Sequence, residues 1–363
     1  MYEPNVRVTA KLMNSLKEIE EIRDLLETIP VLPIVENRIQ RKALVETVHY
    51  TTRIEGNPLD IRAVERLGVR PPAKSAIQRD EQEVLNLYKG MEFIRHFATR
   101  DDLSINEDVI KQINAFVVRD IPKEGSPAVY KMKQNAIVDE ATREIIYMPA
   151  EPSDVPRLMN SLGSWLTQRP LAFHPVIAAG IAHLELVAIH PFDNGNGRTA
   201  RALADLILCR HGYELRYLFS WVAEAGINME TYHRTLRQVL GTKYGVNVDP
   251  TIWLEYFAET VAKSLTKEKP ELLRIREAFV TAYNIGEKPG LSRDQVEAIL
   301  FALIHGEVTT GVYMQATGLS RSTVVKRLNH LVEMGVMQIE GKGRNVQYAV
   351  TTLETLTSKG QHR

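Results

Sequence analysis

HPFDNGNGRTAR, residues 190–201, places a histidine, a glycine-rich loop and two arginines within twelve residues. Gly195 and Gly197 allow unusual backbone angles and a close approach of a ligand to the main-chain amides. The stretch that follows, RTARALADLILCRHG, has a strongly helical pattern. A glycine loop that leads into a helix N-terminus is an anion site, because unpaired N–H groups and the positive end of the helix dipole converge there.

The charged residues of this stretch fit a nucleotide. Arg198 and Arg201 are three positions apart, so they share a face of the first helical turn, and two guanidinium forks suit a di- or triphosphate. His190 precedes the loop, where an imidazole can take a proton from an attacking hydroxyl. The alternative, a tight turn before an exposed basic helix, explains the glycines but neither the histidine nor the two arginines.

These residues resemble the Fic motif, HPFx(D/E)GNGRxxR. The resemblance implies an all-α Fic core that binds ATP and transfers AMP to a Ser, Thr or Tyr hydroxyl. It gives His190 the role of general base and makes Phe192 the anchor of the loop. It also implies that ATP is bound by Gly195, Asn196, Gly197, Arg198, Thr199, Ala200 and Arg201.

One position departs from the motif. The family's acidic residue, which holds Mg²⁺, directly precedes the first glycine, and here that position is Asn194. The nearby acid, Asp193, lies one residue early. An amide oxygen can ligate Mg²⁺ but brings no negative charge. The resemblance therefore implies an ATP and Mg²⁺ site with Asn194 as the metal ligand.

A second motif lies in the N-terminal part of the chain. TTRIEGN, residues 51–57, ends a predicted helix over residues 39–54 and resembles the Fic inhibitory motif (S/T)xxxE(G/N). Thr51, Glu55 and Gly56 occupy the matching positions. Gly56 and Pro58 are also an ordinary helix-stop signal, which is the alternative interpretation. The resemblance implies an N-terminal inhibitory helix.

Two further segments fit the same family. NAIVDEATREIIYMP, residues 135–149, reads as a hairpin around a polar turn at residues 139–142. It lies where the family has a flap that pairs with the backbone of the target protein; a plain surface hairpin is the alternative. Tyr232-His233 lies where members often carry a Tyr-Tyr pair near the adenine, so both residues are assigned to ATP binding, although His233 departs from that pattern.

Residues 293–350 fit a winged helix-turn-helix: three helical patterns, a turn at Gly318, a helix opened by Ser320, and a final hairpin. The helix after Ser320 turns an apolar face inward. Its other face suits duplex DNA, together with the basic wing, which is the final hairpin around residues 341–344. The predicted DNA-binding residues are Arg321, Ser322, Thr323, Lys326, Arg327, Lys342 and Arg344. A module that only binds proteins or dimerises is the alternative.

The whole-chain properties are consistent with these segments. Lys plus Arg and Asp plus Glu both number 45, so the chain is not basic throughout. A single cysteine excludes an intrachain disulfide and a cysteine-based zinc site. The most apolar stretch, residues 175–189, is too short to span a bilayer, and the N-terminus lacks an apolar signal core, so we expect a cytoplasmic protein without membrane contact.

The sequence thus predicts a mainly α protein in three parts. They are an N-terminal helical region with the inhibitory helix (1–100), a Fic catalytic core with a β-hairpin flap (101–285), and a winged helix-turn-helix domain (286–363). The leading hypothesis is a protein adenylyltransferase that acts on a target hydroxyl and on itself. The alternatives are a nucleotide-sensing DNA-binding regulator without turnover and an enzyme that removes AMP; a homodimer is left open.

Overall fold

The computed structural model describes residues 4–29, 33–121, 126–138, 142–168, 173–245, 248–286, 291–306, 308–341 and 346–351. The helices are α1 (Ala10–Glu27), α2 (Pro33–Arg53), α3 (Ile61–Val69), α4 (Arg79–Ala98), α5 (Glu107–Val118), α6 (Val155–Gln168), α7 (Pro175–Ile189), α8 (Asn196–Arg210), α9 (Trp221–Ile227), α10 (Met229–Leu240), α11 (Thr251–Gly286), α12 (Arg293–His305), α13 (Thr310–Thr317) and α14 (Arg321–Glu333). The strands are β1 (Ile137–Val138), β2 (Ile145–Tyr147), β3 (Met337–Glu340) and β4 (Gln347–Val350). β1 pairs with β2 and β3 with β4, both antiparallel, so the predicted mainly α class with two hairpins is confirmed.

The first residues of several helices can be compared with the starts predicted from the sequence. The sequence pattern also predicts helices over residues 79–98 and 106–118, and the first of these is α4. The second, α5, begins one residue later than predicted, because the Asn106 side chain caps the helix by accepting from the Val109 N–H at 3.1 Å. The predicted start of α2 at residue 39 is wrong: α2 begins at Pro33, because the fixed φ of proline suits the first helical position. A helix break is also predicted at residues 29–33, because proline disfavours helix at the residue before it; residues 30–32 lie outside the described residues.

The helix α7 is almost entirely buried. Residues 176–184 along it are all buried, although the chain there carries His183. A Cβ on Gly180 would approach Leu254 Cδ2 to 2.9 Å, and the Gly180 carbonyl accepts from Trp253 Nε1 at 2.7 Å, so α7 lies close against the start of α11 at this glycine. α7 packs against α8, and α8 packs against α4 and α5. The loop between α7 and α8 is therefore held by helices on several sides.

The chain divides into two compact units, one formed by Met1–Arg23 with Ile39–Lys267 and the other by Asp24–Arg38 with Glu268–Arg363. The expected boundary at residues 100 and 101 falls inside the first unit. In the second unit α12, α13, α14 and the β3–β4 hairpin follow in the predicted order, with Val324, Leu328 and Leu331 fully buried. The assignment of this region as a winged helix stays a prediction. None of the helices in the described ranges combines the length and apolar character needed to cross a bilayer.

Candidate active site

The loop between α7 and α8 depends on its first glycine. Gly195 has φ of +74°, and a Cβ there would lie 2.7 Å from Val118 Cγ1, so only glycine fits. The next residue, Asn196, clamps the loop: its Oδ1 accepts from the Phe192 N–H at 2.9 Å and its Nδ2 donates to the Phe192 carbonyl at 2.8 Å. The Asn196 side chain thus shapes the loop, and the main-chain N–H groups at the start of α8 form the anion-attracting end.

His190 ends α7 in a left-handed conformation, with φ of 52° and ψ of 59°, which is uncommon for a residue with a side chain. Its Nδ1 lies 3.3 Å from the Val187 carbonyl. This contact assigns the proton to Nδ1 and leaves Nε2 as the free base. Burial, helped by the positive charge of Lys131, lowers the pKa of His190 to about 4. The imidazole is therefore neutral near pH 7 and able to accept a proton.

A segment that the sequence did not single out holds the motif loop from the other side. The Lys131 N–H donates to the Pro191 carbonyl at 2.8 Å, and Asn135 Nδ2 donates to the Phe192 carbonyl at 3.1 Å. Lys131 is 1% exposed, and its Nζ donates to Asn135 Oδ1 at 2.7 Å. Burial lowers the pKa of Lys131 to about 8. This buried ammonium adds positive charge beside His190, and no local sequence pattern marked it.

Arg201 is 1% exposed and contacts the predicted inhibitory helix. Its Nη2 donates to Glu55 Oε1 at 2.7 Å and to the Thr51 carbonyl at 2.9 Å. Burial acts to raise the pKa of Glu55, but the charges of Arg201 and Arg198 outweigh it and lower the pKa below its usual value. The Glu55 carboxylate also lies over the glycine loop, because a Cβ on Gly197 would collide with Glu55 Oε1. The structure therefore places the Glu55 carboxylate against Arg201 and beside the glycine loop.

Arg198 faces a second carboxylate that the sequence did not reveal. Its Nη1 lies 3.9 Å from Glu83 Oε1, and both side chains are buried. Glu83 Oε2 accepts from Asn57 Nδ2 at 2.9 Å, and Asn57 follows Glu55 by two residues. Gly56, between them, has φ of +87° and ends the turn after α2. Each of the two motif arginines therefore meets a carboxylate.

A cleft of about 490 Å³ opens beside Glu55. Its walls come from the end of α2, from the β1–β2 hairpin and from α10, and include Ile137, Tyr147, His233 and Arg237. Of the predicted pair, His233 lines this cleft, whereas Tyr232 is 2% exposed and lies behind Arg201. Of the predicted turn at residues 139–142, residues 139–141 lie outside the described residues.

Asp193 and Asn194, in the loop between α7 and α8, are both exposed. In the described part of the chain, no three His, Cys, Asp or Glu side chains group closely enough to enclose a metal. Mg²⁺ seldom needs such a cage, since it commonly takes one or two protein oxygens and completes its shell with phosphates and waters. These two oxygen-bearing side chains fit that mode of binding.

The predicted DNA-binding residues lie in the second unit. Arg321, Ser322, Thr323 and Lys326 are exposed on α14, as expected. Arg327 is not: its side chain is 14% exposed, and Nη2 donates to Asp294 Oδ2 at 2.6 Å while Nη1 donates to the Tyr313 hydroxyl at 3.2 Å. The exposure expected for Arg327 is therefore wrong, because the helix turns this residue toward α12 and α13. Lys342 and Arg344 lie outside the described residues.

Comparison with known proteins gives matches to part of the chain. Residues 104–208 match the model of the Fic/DOC family. A protein adenylyltransferase Fic of Nematostella vectensis is 32% identical over 203 residues, which cover 54% of this chain and 45% of the relative. Its counterpart in Aedes aegypti is 28% identical over 221 residues, covering 58% and 42%. The chain thus spans less than half the length of these curated relatives.

Solved structures share the fold. A Fic family protein from Desulfovibrio desulfuricans G20 has a TM-score of 0.63 at 24% identity, covering 96% of this chain and 98% of that one. A Fic domain containing signaling protein from Bacteroides thetaiotaomicron has a TM-score of 0.60 at 23% identity, covering 72% and 97%. At these identities the likeness concerns the architecture alone.

Proposed function

Because this chain carries a Fic domain over residues 104–208, we propose that it is a protein adenylyltransferase. It transfers AMP from ATP to a Ser, Thr or Tyr hydroxyl of a target protein and of itself. The observation that carries the proposal is the convergence of a neutral His190 and two buried arginines on one glycine loop at a helix N-terminus. The adenylyltransferase names of the relatives make ATP the expected nucleotide.

The proposed reaction divides its work among these residues. The target hydroxyl oxygen attacks the α-phosphorus, an O–P bond forms, and the bond from the α-phosphorus to the bridging oxygen of the β-phosphate breaks. Pyrophosphate leaves with that electron pair, and the hydroxyl proton passes to His190 Nε2. The N–H groups at the start of α8, with Arg198 and Arg201, stabilise the phosphate charge. Thr199 and Ala200 are fully buried, so they take part through the main chain.

Bound Mg²⁺ supplies positive charge to the phosphate oxygens, and Asn194 with Asp193 are the residues that would hold it. Asn194→Asp is expected to lower the Mg²⁺ concentration for half-maximal AMP transfer severalfold, because a carboxylate adds charge to the cation's shell. The measurement is a Mg²⁺ titration of radiolabelled AMP incorporation, with Asn194→Ala as the control for loss of the oxygen ligand. An unchanged metal dependence in both variants would remove position 194 from metal binding.

The target protein is proposed to bind as an extended segment that adds a strand to the flap, the β1–β2 hairpin. Val138 and Ile145 on the β1–β2 hairpin are 41% and 57% exposed, although both are apolar. A two-stranded sheet leaves main-chain groups at its edges for a third strand. An extended target segment paired there would lie along the cleft that Ile137 and Tyr147 line.

We further propose that α2 inhibits the enzyme through Glu55. The Glu55–Arg201 pair occupies the guanidinium group proposed for phosphate, and the carboxylate over Gly197 sets a negative charge in the anion site. ATP bound against this carboxylate takes a pose unsuited to attack at the α-phosphorus. The single most direct test of the proposed activity is mass spectrometry of the chain after incubation with ATP and Mg²⁺, which should show added AMP. An unchanged mass, with Glu55 removed, would overturn it.

We propose a second function for the other compact unit, because α14 exposes four polar and basic residues, Arg321, Ser322, Thr323 and Lys326. The full-length chain is expected to bind duplex DNA, and Arg321→Ala with Lys326→Ala should weaken binding about tenfold or more at low salt. The full chain is required because the unit includes Asp24–Arg38. The measurement is fluorescence anisotropy over a salt series, with Arg293→Ala as the matched surface control. Absence of binding at low salt would favour a protein-interaction role.

A further inference from the structure

The Arg201 guanidinium is held from two opposite directions. Among the described residues, Nη2 donates to the Thr51 carbonyl of α2 and to Glu55 in the turn after α2. Nη1 donates to the Tyr232 hydroxyl of α10 at 3.4 Å. The contact with Tyr232 therefore does not depend on the Glu55 carboxylate. Tyr232 is 2% exposed, so water does not compete for it.

The Tyr232 hydroxyl has a second partner in the core. It lies 3.0 Å from Nε2 of His183, which is fully buried in α7 and stacks on Trp253 with ring centroids 4.8 Å apart. Burial holds the pKa of His183 well below its ordinary value, so the ring is neutral and carries one proton.

The direction of this hydrogen bond follows from counting donors. Arg201 can only donate, so the Tyr232 oxygen accepts from it. If Tyr232 donates to His183 Nε2, the His183 proton sits on Nδ1, which among the described residues has no hydrogen-bond partner. In the opposite arrangement both the Tyr232 proton and Nδ1 lack partners, which costs more in a buried site. The series of hydrogen bonds therefore runs from Arg201 to Tyr232 and from Tyr232 to His183.

We infer that Tyr232 is a positioning residue that holds Arg201 for the nucleotide phosphates from the core side, and that His183 fixes the direction of the Tyr232 hydroxyl. This inference rests on the proposed function, since it takes Arg201 as a phosphate-binding group. It also changes what is expected of Tyr232, because its hydroxyl acts through Arg201 and its ring does not line the cleft beside Glu55.

The test uses the full chain with Glu55→Gly, in which α2 no longer holds Nη2 through a carboxylate. Adding Tyr232→Phe keeps the ring and removes the hydroxyl, and is expected to raise the Kd for ATP about tenfold, the scale of one hydrogen bond to a charged group. His183→Leu should weaken ATP binding in the same direction. His183→Gln, which offers an amide oxygen to the hydroxyl, should restore much of the affinity. The Kd is measured by equilibrium titration, and kcat and KM for AMP transfer are measured in parallel.

A spectroscopic measurement separates positioning from packing. In the Glu55→Gly chain, ¹⁵N chemical shifts should show the His183 proton on Nδ1, and Tyr232→Phe should shift the Nε2 resonance. An ATP Kd within about twofold of the Glu55→Gly parent in the Tyr232→Phe variant would overturn the inference. So would a proton on Nε2. Neither readout needs AMP transfer, so a chain that binds ATP through this relay and transfers no AMP would overturn the proposed function alone.

Discussion

His190→Ala, placed in the Glu55→Gly chain, is expected to lower AMP transfer by about 10²–10⁴-fold, the range supplied by general base catalysis. In the proposed reaction the imidazole acts on the nucleophile, whereas the nucleotide is held by the glycine loop and the two arginines. ATP affinity should therefore stay close to that of the parent. His190 ends α7 in a left-handed conformation, and the contact of its Nδ1 with the Val187 carbonyl orients the ring. Loss of the ring removes the proton acceptor and leaves the anion site in place.

The measurement pairs radiolabelled AMP incorporation with an ATP binding titration. His96→Ala is the matched control, because His96 is an exposed histidine on α4. The pKa of about 4 also sets the pH dependence: His190 is neutral above this value and protonated below it. The rate at low ATP should thus show no loss from about pH 8 down to about pH 5.5, the interval in which an ordinary histidine gains its proton. Undiminished labelling by His190→Ala would remove the residue from this role.

Much of the site was predictable because its residues are adjacent in sequence. The twelve residues from His190 to Arg201 form one loop and one helical turn, so their spacing alone places the base, the glycines and the arginines together. The hairpin over residues 137–147 was likewise visible from its two apolar runs and polar turn. Local patterns of this kind are decided by local backbone chemistry.

The parts that the sequence did not reveal come from packing between distant elements. Glu83 looks like an ordinary helical surface residue until α4 packs on α8 and brings it to Arg198. Lys131 precedes a hairpin and shows its role only where its backbone pairs with Pro191. His183 sits in an apolar helix, and its contact with Tyr232 joins positions 49 residues apart. Arg327 has the spacing of an exposed residue, but Asp294 and Tyr313 lie within reach of it.

Glu55→Gly is expected to raise self-modification at least about tenfold, the scale of a single misplaced phosphate contact. The substitution lies in the turn after α2, so glycine does not interrupt a helix there. It removes the carboxylate that binds Arg201 Nη2 and covers Gly197, and it leaves His190 and the glycine loop unchanged. Arg201 Nη2 then no longer binds a carboxylate and is available to the outer phosphates, which allows in-line attack at the α-phosphorus.

Glu55→Gln separates charge from shape in this prediction. The amide oxygen can still accept from Arg201 but brings no negative charge beside the phosphates, so its gain should lie between those of wild type and Glu55→Gly. The Glu55→Gly, His190→Ala double variant should lose the gain, which would show that the added labelling comes from the His190-dependent reaction. Labelling is measured for all four chains at matched protein and ATP concentrations.

Each possible labelling result indicates a different role for Glu55. Equal labelling of wild type and Glu55→Gly would mean that the 2.7 Å contact with Arg201 does not limit the reaction, and the inhibitory assignment would be lost. Reduced labelling in Glu55→Gly would instead point to Glu55 as a catalytic group. A gain that disappears without His190 supports a carboxylate that keeps Arg201 from the nucleotide.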